Sequence, residues 1–172
     1  MSNQNWQQSV FDIIKHNDIG LVAYVPDAGH SALIESAKRE SAIEDVVLTT
    51  EEEGVALCAG AWLGGLKSVL LMQSSGVGNC INMLSLQRSA RIPMVILVTM
   101  RGEYAEFNPW QIPMGSITQQ SLELCDFKVE RVDHPDMAAN TVQAALDFAY
   151  HSDMGVAVLL SQKLLGRKEW VK

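Results

Sequence analysis

Six short runs dominated by Val, Ile and Leu alternate along the chain with longer segments of helical period, and this alternation constrains the fold more than any other feature. The runs lie near residues 20–25, 45–49, 68–73, 93–100, 127–132 and 155–160. Continuous apolar strands of this kind are buried on both faces, as parallel strands joined by crossover helices are. Helices are expected over 6–16, 31–40, 51–63, 79–91, 116–125 and 135–151. The pattern predicts an α/β fold: one three-layer domain with a six-stranded, mainly parallel sheet and helices on both faces. A length of 172 residues suits one domain, and no Pro/Gly/Ser-rich linker, low-complexity tract or fixed-period repeat divides it. The long irregular segment 101–115, with Asn108-Pro109, Pro113 and Gly115, follows the fourth strand, where open α/β sheets bind ligands.

Several partner and ligand classes are excluded at this level. The net charge is −7 and no Lys/Arg cluster could track a phosphate backbone, so nucleic acid is not an expected ligand. Residues 68–87 lack Asp, Glu, Lys and Arg, but Gln73, Ser74, Ser75, Gly76, Gly78, Asn79, Asn82 and Gln87 make a membrane span untenable. The first eight residues have neither a basic start nor an apolar core, so no signal peptide is expected. Cys58, Cys80 and Cys125 are odd in number and widely spaced, which fits a reducing cytoplasm. With 48% hydrophobic residues, part of the surface is expected to be covered by partners.

The familiar cofactor and hydrolase signatures fail on inspection. Gly76-Val77-Gly78 opens like a dinucleotide fingerprint, but Ile81 stands at the third glycine position and no acidic residue follows about 20 residues on. Residues 60–68 resemble a P-loop with one residue too many before Lys67 and with the strand following rather than preceding. No serine is flanked by glycines two residues either side, and His16, His30, His134 and His151 show no zinc-ligand spacing. Cys80 reads better as a small buried hydrophobe than as a nucleophile.

What remains is Thr49-Thr50-Glu51-Glu52-Glu53-Gly54, three carboxylates opening a helix directly after the second strand. Thr50 and Glu53 match a capping box, and acidic groups in a first turn are favoured by the helix dipole by about 0.3–1 kcal/mol each. The same helix continues through Gly54, Ala56, Cys58, Ala59, Gly60 and Ala61, which allow another backbone to approach closely. A carboxyl at such a place is well situated to be buried on assembly, and burial favours the protonated form of a carboxyl.

From Glu51, small residues at +3 and +7, glycine at +9, and a strand ending in G-x-G at +25 and +27 fall on Gly54, Cys58, Gly60, Gly76 and Gly78. This pattern resembles the pyrimidine-binding domain of thiamine diphosphate enzymes of the 2-oxo acid decarboxylase and acetolactate synthase group. The resemblance spans residues 1–172. Its most specific parts, 51–54, 72–79, 101–103 and 111–115, look most like alpha subunits of the sulfopyruvate decarboxylase family, with related phosphonopyruvate decarboxylases sharing much of it, including the V-P-D start at 25–27.

The resemblance implies that Glu51 is the carboxyl that activates the aminopyrimidine, with Glu52 the neighbouring alternative one position out of register. It implies thiamine diphosphate and Mg2+ as cofactors and a small anionic 2-oxo acid as substrate. The most favoured reaction converts 3-sulfopyruvate to sulfoacetaldehyde and CO2; phosphonopyruvate decarboxylase or acetolactate synthase-like activity is the alternative. A G-D-G...N element, which holds metal and diphosphate in this group, does not occur in the sequence. The resemblance therefore implies a beta subunit that carries it, in a hetero-oligomer, with no metal ligand on this chain. Strand-end positions extend the candidate site. Pro26, Asp27 and His30 follow the first strand, with His30 a candidate proton donor. Gln73, Ser75, Gly76 and Asn79 follow the third strand as cofactor-binding candidates, and Arg101 follows the fourth as a bidentate anion ligand. The contrasting expectation is a noncatalytic α/β regulatory or binding subunit whose glutamates merely cap a helix.

Overall fold

The structure is a computed structural model whose described residues are 6–167; the start of the segment inspected for a signal peptide lies outside them. Strands β1 (Ile19–Tyr24), β2 (Glu44–Val47), β3 (Lys67–Gln73), β4 (Met94–Thr99), β5 (Lys128–Val132) and β6 (Gly155–Leu160) form one sheet in the order β2-β1-β3-β4-β6-β5. Every neighbouring pair is parallel, so the sheet expected to be mainly parallel is parallel throughout. The sequences fit their places. Interior strands β4 and β6 are buried at every residue, whereas edge strands β2 and β5 carry Glu44, Asp45, Lys128, Glu130 and Arg131.

One face of the sheet is covered by α1 (Trp6–His16), α2 (Ser31–Arg39) and α7 (Pro135–Ser152). Trp6, Val10, Phe11, Ile14, Leu33, Val142 and Leu146 belong to the same core as Val22, Val69, Val95 and Val156. The opposite face carries α3 (Glu51–Leu63), α4 (Ser74–Cys80), α5 (Ser85–Ala90) and α6 (Ile112–Leu124), with Val55, Cys58, Val77, Leu84 and Leu122 packed among Leu70, Met72, Ile96 and Val98. A last turn, α8 (Gln162–Leu165), follows β6. Each Leu or Ile so buried is worth roughly 1.5–3 kcal/mol over exposure, and this drives both helix layers onto the sheet.

Two helices differ from their expected bounds by more than one residue, both beside the strand ends. The segment expected as one helix over 79–91 starts earlier, at Ser74 directly after β3, and breaks between Cys80 and Ser85. In that break the Asn82 carbonyl accepts from both the Ser85 hydroxyl, at 2.7 Å, and the Ser85 N–H, at 3.2 Å, tightening the chain. The helix expected from residue 116 reaches back to Ile112, because Pro113 sits in the first turn, where its missing N–H would have had no partner. A short 3-10 turn at Pro109–Gln111 precedes it, capped by the Asn108 side chain.

The strand order places β1 between β2 and β3, so the chain leaves β1 toward one edge and returns on its other side. A crevice opens where such order reverses, at the carboxyl ends of the strands. The loops after β1 and β3 flank that crevice.

Candidate functional site

Asp27 and Gln73 span the β1/β3 crevice. Gln73 Nε2 donates to Asp27 Oδ1 at 2.9 Å, and the Ser75 hydroxyl donates to Gln73 Oε1 at 3.0 Å. Asp27 Oδ2 accepts from the Gly29 N–H at 2.9 Å and from the Thr99 hydroxyl at 2.7 Å. Three strand ends are thus joined by one carboxylate. Gly29 permits the approach, since a methyl there would lie 2.7 Å from the Thr99 side chain. Thr99 closes an otherwise apolar run, and only its position at a strand end distinguishes it in the sequence; it was missed for that reason.

Glu51 opens α3 but does not cap it. Thr50 makes no side-chain cap, and it is Glu53 that turns back to accept from the Thr49 N–H, at 2.8 Å. Glu51 is instead 9% exposed, and its Oε2 accepts from Asn79 Nδ2 at 3.0 Å. Gly76 lies against the same carboxyl: a methyl there would sit 2.5 Å from Oε1. The glycine pair that mimics a nucleotide motif thus serves packing, Gly76 under Glu51 and Gly78 against Met114, where a methyl would lie 3.0 Å from Sδ. Cys80 is fully buried, and burial pushes its thiol up to about 12, which leaves it inert.

Beside this carboxyl, Ser75, Gly78, Asn79, Pro109, Trp110, Pro113 and Met114 line an open pocket of about 730 Å³. Its walls are largely apolar, with Ser75 and Asn79 as the polar groups, and Trp110 stands 82% exposed at the rim.

Two candidates stand differently from expectation. The bidentate edge of Arg101 is already taken: Nε donates to Glu106 Oε2 at 2.6 Å and Nη2 to Oε1, in a pair whose side chains are 8% and 4% exposed. Glu106 also accepts from the Gly102 and Asn108 N–H groups and from Gln162 Nε2, at 3.1, 3.0 and 2.9 Å, so it folds the loop around itself. Hydrogen bonds from Arg101 hold the Glu106 carboxyl well below the usual carboxylate range. His30 lies beneath the site with 0% exposure rather than on its open side. Its Nε2 faces the Met72 and Leu97 carbonyls at 3.2 and 3.0 Å, and burial lowers its pKa despite nearby Asp27, so the ring is neutral. Pro26 is exposed at the end of β1. The structure thus groups Asp27, Gln73 and Ser75 with Thr99, and Glu51 with Gly76 and Asn79. Among the described residues no three His, Cys, Asp or Glu side chains form a group that could hold a metal ion. No described helix is long and apolar enough to cross a membrane.

The fold is shared with a solved 2-oxoglutarate:ferredoxin oxidoreductase from Magnetococcus marinus, at a TM-score of 0.73 over 95% of this chain and 13% identity; the chain spans 31% of that protein. No family model matches the chain. It is 34% identical over 157 residues to the sulfopyruvate decarboxylase subunit alpha of Methanococcus maripaludis, covering 91% of this chain and 94% of that one. The chain belongs to the family of sulfopyruvate decarboxylase alpha subunits. A phosphonopyruvate decarboxylase of Streptomyces viridochromogenes is 36% identical over 144 residues, 82% of this chain but 36% of that protein.

Proposed function

We propose that the chain is the alpha subunit of a thiamine diphosphate-dependent carboxy-lyase that converts 3-sulfopyruvate to sulfoacetaldehyde and CO2. Residues 1–172 form its pyrimidine-binding domain. The observation that carries the assignment is the Glu51 carboxyl, buried at the strand ends with Oε2 accepting from Asn79 and Oε1 packed against Gly76. Oε2 accepts from the Asn79 amide, which leaves Oε1 as the atom that would meet an entering ring nitrogen. The adjoining pocket, walled by Trp110, Pro113 and Met114, suits a flat heteroaromatic ring. These features fit an aminopyrimidine whose ring nitrogen meets Glu51.

When bound, thiamine diphosphate supplies the electron sink that takes the bonding pair as CO2 leaves; the aldehyde carbon gains a proton in its place. The residues of this chain orient and protonate. Glu51 holds the proton at Oε1. Asn79 fixes the carboxyl rotamer, and Asp27, Gln73 and Ser75 set the hydrogen bonds on the substrate side of the crevice. The Arg101 guanidinium holds the 101–108 loop through Glu106.

The pocket offers a ring site but no cluster of carboxylates for Mg2+ among the described residues. The diphosphate and its metal belong to a beta subunit, and exposed Trp110, Leu124 and Leu63 are available for burial against it. Replacing Glu51 by Gln in the complex with that subunit tests the reading. Turnover of sulfopyruvate is expected to fall by about 10²–10⁴-fold, the usual worth of a positioned proton-transfer group, with assembly intact. Unchanged turnover would refute it. Parallel assays with sulfopyruvate, phosphonopyruvate and pyruvate decide the substrate.

A further inference from the structure

Gln73 lies between the Asp27 carboxylate, which only accepts, and the Ser75 hydroxyl, which can donate or accept. The Gly29 N–H can only donate, so the Asp27 atom against it is an acceptor, and the carboxylate's other oxygen faces Gln73. Gln73 must therefore present its NH2 to Asp27 and its carbonyl to Ser75. The single hydroxyl proton of Ser75 is committed to that carbonyl. Its lone pairs remain for whatever occupies the pocket that Ser75 lines. Asn79 repeats the arrangement on the other side: its NH2 is committed to Glu51, which leaves its carbonyl oxygen for the same pocket.

We infer that Asp27 is a positioning residue that acts through Gln73 to present Ser75 to the ligand as a hydrogen-bond acceptor, so the ligand group seated there is an N–H or O–H donor. This rests on the proposed reading of the site and adds to it the polarity of its recognition. Asp27 has no need to touch the reacting atoms for its carboxylate to matter.

The relay makes an unusual prediction. In Asp27→Asn the side-chain oxygen must stay against the Gly29 N–H, so the new NH2 faces Gln73, the Gln73 amide turns over, and Ser75 points its proton at the ligand. Adding Gln73→Glu supplies an acceptor at both ends and turns Ser75 back, with the total charge of the pair restored.

Each variant is combined with the partner subunit and assayed on sulfopyruvate with saturating thiamine diphosphate and Mg2+. Assembly is followed by size-exclusion chromatography and cofactor affinity by Trp fluorescence. Asp27→Asn and Gln73→Glu alone are each expected to lower kcat/KM by at least about thirtyfold, as misdirected part-buried hydrogen bonds do. The double variant is expected to return to within about fivefold of wild type. Gln73→Leu, which cannot suffer charge repulsion, should cost about tenfold, and adding Ser75→Ala to it should cost little more.

A double variant no better than Asp27→Asn would overturn the relay, because the carboxylate at 27 would then be needed in its own right. An Asp27→Asn variant within about threefold of wild type would overturn it too. If the wild-type complex shows no thiamine diphosphate-dependent turnover, the proposed function falls and takes the relay with it. Cofactor-dependent turnover without rescue overturns the relay alone.

Discussion

On the face covered by α1 and α2 the helices meet the sheet through Trp6, Val10, Phe11, Ile14, Leu33 and Ile34, whereas α3 and α4 meet it through Gly54, Val55, Cys58, Ala59, Ser74, Gly76, Val77 and Cys80. Helices α1 and α2 bury mostly large side chains and leave a conventional amphipathic exterior. The face of α3 and α4 brings backbones close, lets the Glu51 carboxyl reach the strand ends, and leaves Leu63, Trp110 and Leu124 about four-fifths exposed or more. Glycines in helices lower intrinsic helix propensity, and small residues of any kind bury less apolar area. The difference teaches that the two sides of the sheet are packed by different means, and the proposed ligand and partner surfaces lie on the side where helix backbones come close.

That contrast can be broken by substitution. Leu146→Ala, on α7 with its side chain wholly buried, should cost about 2–5 kcal/mol of unfolding free energy by denaturant titration, with turnover per folded complex unchanged. Gly76→Ala should do the opposite. Its methyl would meet the Glu51 carboxyl at 2.5 Å, so turnover should fall by about tenfold or more while stability changes by about 1–3 kcal/mol at most. If the two variants showed the same balance of stability and activity losses, the division of labour between faces would be wrong.

Acid should weaken the chain in two stages. His30 is held below its ordinary value of 6.5, so below that pH the unfolded chain takes a proton that the folded chain refuses; its contribution is present above 6.5 and is lost as pH falls. Glu106, also held low, contributes fully above its ordinary 4.5 and loses that contribution below it as the pair with Arg101 is protonated. Urea midpoints should therefore drop from pH 6.5 toward 5, with the drop reduced in His30→Gln, and fall again below 4.5, less so in Glu106→Gln. The smallest effect is expected at Leu124→Ser. This substitution of an 85% exposed residue should shift stability of the isolated chain by less than about 0.5 kcal/mol, yet weaken binding of the partner.

Much of this was legible in sequence because strands buried on both faces leave an unmistakable record, as in β4 and β6, where no residue is exposed. The order of strands was not, since parallel pairing is decided by crossovers that leave no local mark, and with it went the position of the crevice. Helix bounds beside the site were misjudged where small and polar residues obscure periodicity: Ser74 to Gly78 reads as a turn but is helical once Gly76 and Gly78 are filled by Glu51 and Met114. Glu51 stood out because its carboxyl begins a helix of small residues. Thr99 did not, hidden at the end of an apolar strand, and the capture of Arg101 by Glu106 depended on loop geometry that spacing alone leaves open between Glu103 and Glu106.

The central claim is that this chain holds one half of a catalytic centre. Titrating it against the partner subunit, with thiamine diphosphate, Mg2+ and sulfopyruvate present, and following CO2 release tests that claim most directly. The account predicts no turnover from either chain alone and a cofactor-dependent rate that rises until the two are stoichiometrically matched. Sulfopyruvate decarboxylation by this chain alone, or by the partner without it, would contradict the account.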